Sequence, residues 1–536
     1  MRSQPRRPTR PPSFVPAART PHVTLAHVTL ARVTTAAEAA ALDARAIEAG
    51  TPSRVLMQRA GEAAAAEIER AFPMARGAAI NVFAGPGNNG GDGWVVARAL
   101  ASRGARVFVR EAGAARSEES KEYRALAAPL VTQGESPDAR LVVDALLGVG
   151  AKGEPRGEIA ECIARIAAAR ARGAAVVALD IPSGVDADTG DASGAVQADL
   201  TISFGTLKRG LAIARGNSGR TLVCDIGLGE GPADDSMPRL VSAQWVRAHV
   251  PAIRADAHKG TRRKLAILGG QVGMAGAPML AARAAMRSGI GMVRVLVARE
   301  NVPVVQAAVP EALAHAWPES AAEVESVVTE WADGLVIGPG LGASYGSRVL
   351  IERVLREFRG PVVLDADALN VFAGEPEQLG DLIGERPALL TPHPMELARL
   401  LGVHLDDVLA RRFAIGVELA QRTRAVVLLK GVPTVVSDAT GQRFVSCAGT
   451  PVLASAGSGD LLSGIAGTLL TQIGDAQVAG ACAAWAHGRA AELAGRGHVR
   501  GVVLADVELA LREVWNEPLP VLAAPALAEL PAIGER

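Results

Sequence analysis

Gly85-Pro-Gly-Asn-Asn-Gly-Gly-Asp-Gly93 follows a short apolar run, 78–84, and leads into Trp94-Val-Val-Ala-Arg-Ala-Leu100, whose apolar spacing is helical. A strand, a glycine-rich turn and a helix in succession aim backbone N–H groups and a helix N-terminus at an anionic ligand. A loop that only cradled phosphate would have little use for the amides of Asn88 and Asn89 or the carboxylate of Asp92. The stretch therefore reads as a seat for a phosphorylated ligand and a cation together.

Outward from this turn, strands and helices alternate. Strands are expected at Ala79–Ala84, 105–110, Leu141–Ala145, 176–180, Leu200–Phe204 and 221–225, with alanine-rich helical spacing between them, as at 158–171. A second series runs through Lys264–Leu268, 293–298, Gly334–Ile337, 361–365, Ala388–Leu390, 425–429 and Thr434–Ser437. Such alternation builds α/β folds with mostly parallel sheets. The polar, turn-rich Glu230-Gly-Pro-Ala-Asp-Asp-Ser-Met-Pro238 separates the two series, and 230–240 is expected to be a linker. With 536 residues, two domains are the expectation. No internal repeat is visible.

Composition excludes several classes. Formal net charge is zero and the basic residues are spread along the chain, which argues against a nucleic-acid partner. No apolar run has the length of a membrane span, so a soluble protein is expected. Cys162, Cys224, Cys447 and Cys482 stand far apart without metal-ligand spacing and read as buried free thiols of a reducing compartment, the cytoplasm. Residues 1–32 alternate arginine with proline and lack aliphatic periodicity, so a disordered tail is expected there.

In open α/β sheets, ligands bind beyond the carboxyl ends of the strands. Asp144 ends one expected strand and enters the turn Ala-Leu-Leu-Gly148-Val-Gly-Ala-Lys-Gly153. Asp180 ends the next and enters Ile-Pro-Ser183-Gly184. One such acid would be read as a turn cap; several loops that each pair an acid or hydroxyl with glycines read as one site.

Gly87-Asn-Asn-Gly-Gly-Asp-Gly93, the Asp144…Gly148 turn, Asp180-Ile-Pro-Ser-Gly184 and Asp188-Thr-Gly190 together resemble the NAD(P)HX epimerases. So do Ala198-Asp-Leu-Thr201, Phe204…Lys208 and Leu42-Asp43…Gly50…Leu56-Met-Gln-Arg-Ala-Gly61. The resemblance covers about 33–229, and only Trp94 departs, where a smaller apolar residue is usual. It implies exchange of the R and S epimers of hydrated NADH or NADPH, with Asp180 at the reacting ring. By the same resemblance, Asn88, Asn89, Gly90, Gly91, Asp92 and Gly148, Val149, Gly150, Ala151, Lys152, Gly153, Glu154 contact the dinucleotide. The resemblance also implies that Asn89, Asp144 and Ser183 hold a potassium ion.

The second half carries Ala456-Gly-Ser-Gly-Asp460 just before the helical Leu461–Leu470 spacing. Amides at a helix start with an adjoining carboxylate can bind a phosphate and take a proton from the attacking hydroxyl. With His258-Lys-Gly260, Gly269-Gly270, Gly276-Ala-Pro278, Gly338-Pro-Gly-Leu-Gly342, Asp365-Ala-Asp-Ala-Leu-Asn370, Thr391-Pro-His-Pro394 and Leu429-Lys-Gly-Val-Pro-Thr434, it resembles the ribokinase-like, ADP-dependent NAD(P)HX dehydratases over about 241–515. After His393-Pro394 the family usually has Gly-Glu-Met; here Met395-Glu396-Leu397 follows, read as one residue short.

The implied chemistry is phosphoryl transfer from ADP followed by elimination. Asp460 acts on the hydroxyl, and Mg2+ assists. By resemblance, Lys430, Gly431, Val432, Pro433, Thr434 and Gly459 are expected to contact the adenine nucleotide, and Ala277, Gly342, His393 and Asp460 the hydrated cofactor. The expected architecture is an N-terminal Rossmann-like three-layer domain, 33–229, and a C-terminal ribokinase-like domain, 241–520, with a tail at 521–536. The expected partners are small molecules, with no nucleic acid or membrane, in a homo-oligomer. Two alternatives stay open at this point: a vitamin or sugar kinase in the second half, and a non-catalytic binding module in the first.

Overall fold

In the computed structural model, which describes residues 30–229 and 236–533, every strand expected above lies in one of two sheets, with boundaries that differ by at most a residue or two. The first sheet runs Ala526–Leu530, Arg220–Cys224, Leu200–Phe204, Ala175–Leu179, Leu141–Ala145, Ala79–Ala84, Arg106–Glu111, Thr132–Gln133. All neighbours are parallel except the C-terminal strand, which lies antiparallel on Arg220–Cys224. The central strands are buried along their whole length, as a sheet covered by helices on both faces requires.

The second sheet runs Arg239–Leu240, Arg443–Ser446, Thr434–Ser437, Val426–Leu429, Ala388–Leu390, Val362–Leu364, Gly334–Ile337, Lys264–Leu268, Met292–Val297, Leu313–Ala316. It is parallel from Val426–Leu429 to the Leu313–Ala316 edge, and an antiparallel meander extends the other side.

Each sheet reverses its strand order once. From Ala79–Ala84 the chain goes first to one side, through Arg106–Glu111, and then to the other, at Leu141–Ala145. From Lys264–Leu268 it goes to Met292–Val297 and later to Gly334–Ile337. The loops leaving the paired strands diverge there and leave a crevice at their carboxyl ends. Gly85–Gly93 faces Asp144 across the first crevice, and Gly269-Gly270 faces Gly338–Gly342 across the second.

The expectations for the two tails and the linker each need correction over the part that lies within the described residues. The 521–536 tail contains the strand Ala526–Leu530, and Ala528 and Leu530 are buried. The edge of Arg220–Cys224 supplies its hydrogen-bond partners. Of the 1–32 tail, 1–29 lie outside the described residues, but Ala31 is buried, Leu207 N donates to Arg32 O, and Leu240 N donates to Ala31 O. Of the 230–240 linker, 230–235 lie outside, and Arg239–Leu240 joins the second sheet. These segments share one apolar cluster with Leu207, Leu211 and Val223 of the first domain and Phe413, Val435 and Val445 of the second. The domains are thus joined by core packing as well as by the chain.

Trp94 is fully buried in the first domain's core, with the Arg124 guanidinium over its ring. The four cysteines are buried and free. Among the described residues, no helix is long and apolar enough to cross a membrane.

Candidate functional sites

The helix of the first crevice is Asn88–Ser102, so Asn88, Asn89, Gly90, Gly91 and Asp92 form its opening turn and are not a loop before it. Gly87 at the N-cap brings no side-chain hydrogen bond, which leaves that end for a ligand. The glycines are required by close approach. A Cβ on Gly85 would lie 1.8 Å from Leu146 O, and one on Gly90 would lie 1.9 Å from Gly85 O.

Beside that turn, Asp144 is fully buried. Its Oδ2 accepts from Ser183 N at 2.8 Å, and its Oδ1 accepts from Ser183 Oγ at 2.6 Å. Burial pushes its carboxyl up to about 6, against the pull of those Ser183 bonds. Ser183 Oγ accepts from Leu147 N at 2.9 Å, and Asn89 Nδ2 donates to Leu147 O at 2.8 Å. Asn89, Asp144 and Ser183 are thus tied together through the backbone of one residue, Leu147. Asn89 Oδ1 is buried without a hydrogen-bond partner. An orphaned amide oxygen next to one carboxylate and one hydroxyl fits a hard monovalent cation. Among the described residues, no group of three or more His, Cys, Asp and Glu offers a site for a divalent ion.

The turn after Asp144 starts against this cluster, since a Cβ on Gly148 would sit 3.3 Å from Asn89 Cβ. Val149 and Ala151 are half-buried, whereas Gly150, Lys152, Gly153 and Glu154 are exposed at the rim.

Asp180 stands one residue beyond Ala175–Leu179 with φ 62°, a left-handed conformation uncommon outside glycine. Its Oδ1 accepts from Phe204 N at 3.1 Å and is ion-paired with Lys208 Nζ. Lys208 is buried and also donates to Phe204 O at 2.9 Å and Ser203 Oγ at 3.2 Å. Burial, and then the charges of Asp180 and Asp43, hold the Asp92 carboxyl well above its ordinary value. Burial raises Asp43 as well. The sequence reading gave Lys208 and Asp43 no role, although both fall within quoted motifs. Asp188 is structural: its Oδ1 accepts from Ala36 N at 2.7 Å and pins the first helix.

In the second crevice, Asp365 follows Val362–Leu364 and Lys430 follows Val426–Leu429. Lys430 Nζ donates to Asp365 Oδ1 at 2.9 Å, and Ser463 Oγ donates to Oδ2 at 2.5 Å. Burial pushes Asp365 up, but Lys430 and Ser463 outweigh it and leave the carboxyl below its ordinary value. Ala366, with φ 49°, turns the chain so that Asp367 faces the other way and accepts from Gly342 N at 2.7 Å.

The helix Ser458–Ile473 begins behind Gly457, whose φ of 91° suits glycine, and so starts before Leu461. Asp460 lies in its first turn. Burial, and then the Asp365 charge, raise its carboxyl to about 7. Such a group can accept a proton near neutrality. Ala277, at the start of Gly276–Arg287, lies against Gly340, since a Cβ there would be 3.1 Å from Ala277 Cβ.

His393 caps the helix Pro394–Leu401. Its Nδ1 accepts from Met395 N and Glu396 N, and Glu396 Oε2 accepts from His393 N at 2.8 Å. This reciprocal box needs its acid at the third helical position, and Glu396 occupies that position. His-Pro-Met-Glu-Leu therefore matches His-Pro-Gly-Glu-Met residue for residue. The reading of a missing residue is corrected: Met395 replaces the glycine, and nothing is deleted.

A cavity of about 440 Å³ opens beside Lys430. Lys430, Gly431, Val432, Pro433, Thr434 and Gly459 all line it. So do His487 and Arg215, which sequence reasoning missed because each sits inside a helix with no motif around it.

The two constellations define the class: a two-domain α/β enzyme with one acid-bearing crevice per sheet, the second opening onto the start of Ser458–Ile473. A family model described as YjeF-related protein N-terminus matches residues 53–210, and one described as NAD(P)H-hydrate dehydratase matches 265–512. The chain is 38% identical over 488 residues to the bifunctional NAD(P)H-hydrate repair enzyme Nnr of Coxiella burnetii, covering 88% of this chain and 96% of that one. It is 38% identical over 476 residues to the enzyme of the same name from Escherichia coli, covering 86% and 89%. Among solved structures, the ADP/ATP-dependent NAD(P)H-hydrate dehydratase from Bacillus subtilis, co-crystallised with ATP and Mg2+, is 31% identical. It covers 51% of this chain and 96% of that one, with a TM-score of 0.46. The chain belongs to the family of bifunctional NAD(P)H-hydrate repair enzymes. It is an enzyme that repairs hydrated nicotinamide cofactors by an epimerase and a dehydratase activity.

Proposed function

We propose that the first crevice exchanges the R and S epimers of NADHX and NADPHX, and that the second dehydrates the S epimer at the expense of ADP. The epimerase domain comprises 33–229 with Ala526–Leu530 added, and the dehydratase domain comprises 241–520. What supports the reading above all is that the six residues assigned to the adenine nucleotide line one cavity at the helix start that bears Asp460.

In the first site, the opening turn of Asn88–Ser102 and the turn from Gly148 to Glu154 hold the dinucleotide. The hydrated carbon loses its oxygen as the ring nitrogen supplies electrons, and the oxygen returns to either face. Asp180 trades protons with that oxygen and faces the cationic ring. Its Oδ1 is fixed by Lys208 and Phe204, and among the described residues Oδ2 makes no hydrogen bond, so it remains for the substrate. Asn89, Asp144 and Ser183 would hold a potassium ion, which would supply a fixed positive charge to the site.

In the second site, hydroxide is a poor leaving group. Asp460 takes the hydroxyl proton as that oxygen attacks the terminal phosphorus of ADP, releasing AMP. Loss of phosphate from the ring and of a ring proton then restores the dihydronicotinamide. Amides at the start of Ser458–Ile473 and the Lys430 ammonium hold the transferring charge. Ala277, Gly342 and His393 orient the hydrate. Mg2+ bound with the nucleotide would neutralise charge on its phosphates. Four buried free thiols support a reducing compartment, and we place the enzyme in the cytoplasm.

The test is incubation with mixed R and S NADHX, with and without ADP, following the return of NADH absorbance. Complete recovery is expected with ADP only. Recovery without a nucleotide, or release of a stable phosphorylated product in place of phosphate, would sink the proposal.

A further inference from the structure

We propose that Arg215, a residue of the first domain, is a ligand of the nucleotide bound by the second, so that the dehydratase site is completed by the epimerase domain. This rests on the reading that ADP occupies the cavity beside Lys430.

Arg215 opens the short helix Arg215–Ser218 and is 2% exposed. Its guanidinium crosses the domain boundary. Nη1 donates to Cys447 O in the second domain, and Nη2 donates to Pro531 O, just beyond the strand Ala526–Leu530. Both partners are neutral carbonyls, and Nε is buried with no hydrogen-bond partner. Among the described residues, no carboxylate lies within ion-pair distance of Arg215. A buried cation in that state is costly unless an anion joins it.

The cavity that Arg215 lines explains where such an anion would come from. Its walls carry two cations, Arg215 and Lys430, and no aspartate or glutamate. Lys430 already has Asp365 as its counter-ion, so Arg215 is the unmatched charge. His487, on the same wall, is buried and leaves Nε2 without a partner. A nucleoside diphosphate brings two or more negative charges and many acceptor oxygens to these donors. Ile533, beyond the C-terminal strand, lines the same cavity, so the chain before Arg220–Cys224 and the chain after its antiparallel neighbour Ala526–Leu530 both reach it.

The placement also links the two sites. Arg215 closes the segment that starts at Lys208, the lysine holding Asp180, and runs through the buried helix Arg209–Ile213. Nucleotide that engages Arg215 therefore stiffens the piece of chain that positions the epimerase acid, and by reciprocity the two occupancies are coupled.

The experiment is an ADP titration of NADH recovery from S-NADHX by the full chain carrying Arg215→Met, Arg215→Lys or Glu529→Gln. Glu529→Gln removes the 2.7 Å ion pair with Arg220, loosening the same C-terminal strand away from the cavity. For Arg215→Met the half-saturating ADP concentration should rise about tenfold, the scale of one charge-assisted hydrogen bond. Arg215→Lys should recover part of this, Glu529→Gln should match wild type, and the half-saturating hydrate concentration should not move. Unchanged ADP saturation in Arg215→Met, or an equal shift in Glu529→Gln, overturns the proposal. If ADP supports no recovery in the wild type, the assignment of the cavity itself falls, and Arg215 with it. Should Arg215→Met not fold, amide exchange in the wild-type protein decides: ADP should protect 209–218, and no change there overturns the role of Arg215.

Discussion

Lys430 Nζ lies 2.9 Å from Asp365 Oδ1, joining the ends of two parallel strands that are separated in the sheet by Ala388–Leu390. The pair does more than bridge the crevice. Asp365 keeps its negative charge because Lys430 and Ser463 stabilise it, and that charge adds to burial in raising Asp460. One carboxylate is kept ionised so that its neighbour can hold and release a proton.

Asp460→Asn should lower ADP-dependent NADH recovery at least about 100-fold, the usual minimum for losing a positioned base. Exchange of R and S epimers, measured separately, should persist. Recovery near the wild-type rate in this variant would remove the ribokinase-like mechanism.

The raised carboxyl of Asp460 sets a pH limb. Below about 7 it is protonated and cannot accept the hydroxyl proton, so the dehydration rate should rise as pH rises through about 7. Asp365→Asn removes the like charge and should move that limb to lower pH, though not to an ordinary carboxylate value, because burial is the larger cause. The same change leaves Lys430 without its carboxylate partner and should cost roughly 3–5 kcal/mol in denaturant unfolding. A limb that does not move would show that Asp365 has no influence on Asp460.

Asp180→Asn and Asn89→Ala should both stop epimer exchange while leaving dehydration of the S form. Recovery from a mixed substrate then stalls once S is consumed. The two variants should differ in their response to potassium: high concentrations should partly rescue Asn89→Ala, which weakens a site, and should leave Asp180→Asn unchanged. Conversion of the R form at the wild-type rate by Asp180→Asn would refute the assignment of the acid.

Met395→Gly should keep dehydratase activity and cost at most about 1 kcal/mol of helix propensity. Inserting a glycine between Pro394 and Met395 should be harmful, because Glu396 leaves the third helical position and the box with His393 is lost, at about 1 kcal/mol. The half-saturating hydrate concentration should rise with it. An active, stable insertion variant would restore the missing-residue reading.

Truncation after Pro520 should destabilise the first domain more than the second. It uncovers the edge of Arg220–Cys224 and takes Ala528 and Leu530 out of the apolar cluster they help fill. Loss of the leucine's burial alone is about 2 kcal/mol, or roughly 5 °C in the unfolding midpoint. Unchanged unfolding would mean the strand contributes nothing.

The two series of strands and the loops at their carboxyl ends are legible in the sequence, and Asp144, Asp180 and Asp460 stand out there as acids within those turns. These follow from local rules: apolar runs of strand length, glycines where backbone must approach backbone, and acids in turns. What depends on partners distant in the chain is not legible there. Ala526–Leu530 has no β-branched residue and becomes a strand only because Arg220–Cys224 offers an open edge. Asn88 begins a helix in spite of its glycine-rich neighbours because Leu146 and Gly85 leave room only for glycine and the packing fixes the turn. Arg215 resembles any other basic residue in the sequence, and Lys208, though it ends a quoted motif, shows no role there. Only tertiary structure buries one against Asp180 and sets the other, unmatched, in a wall between domains, because burial and charge pairing belong to the folded surroundings of a side chain rather than to its neighbours in sequence.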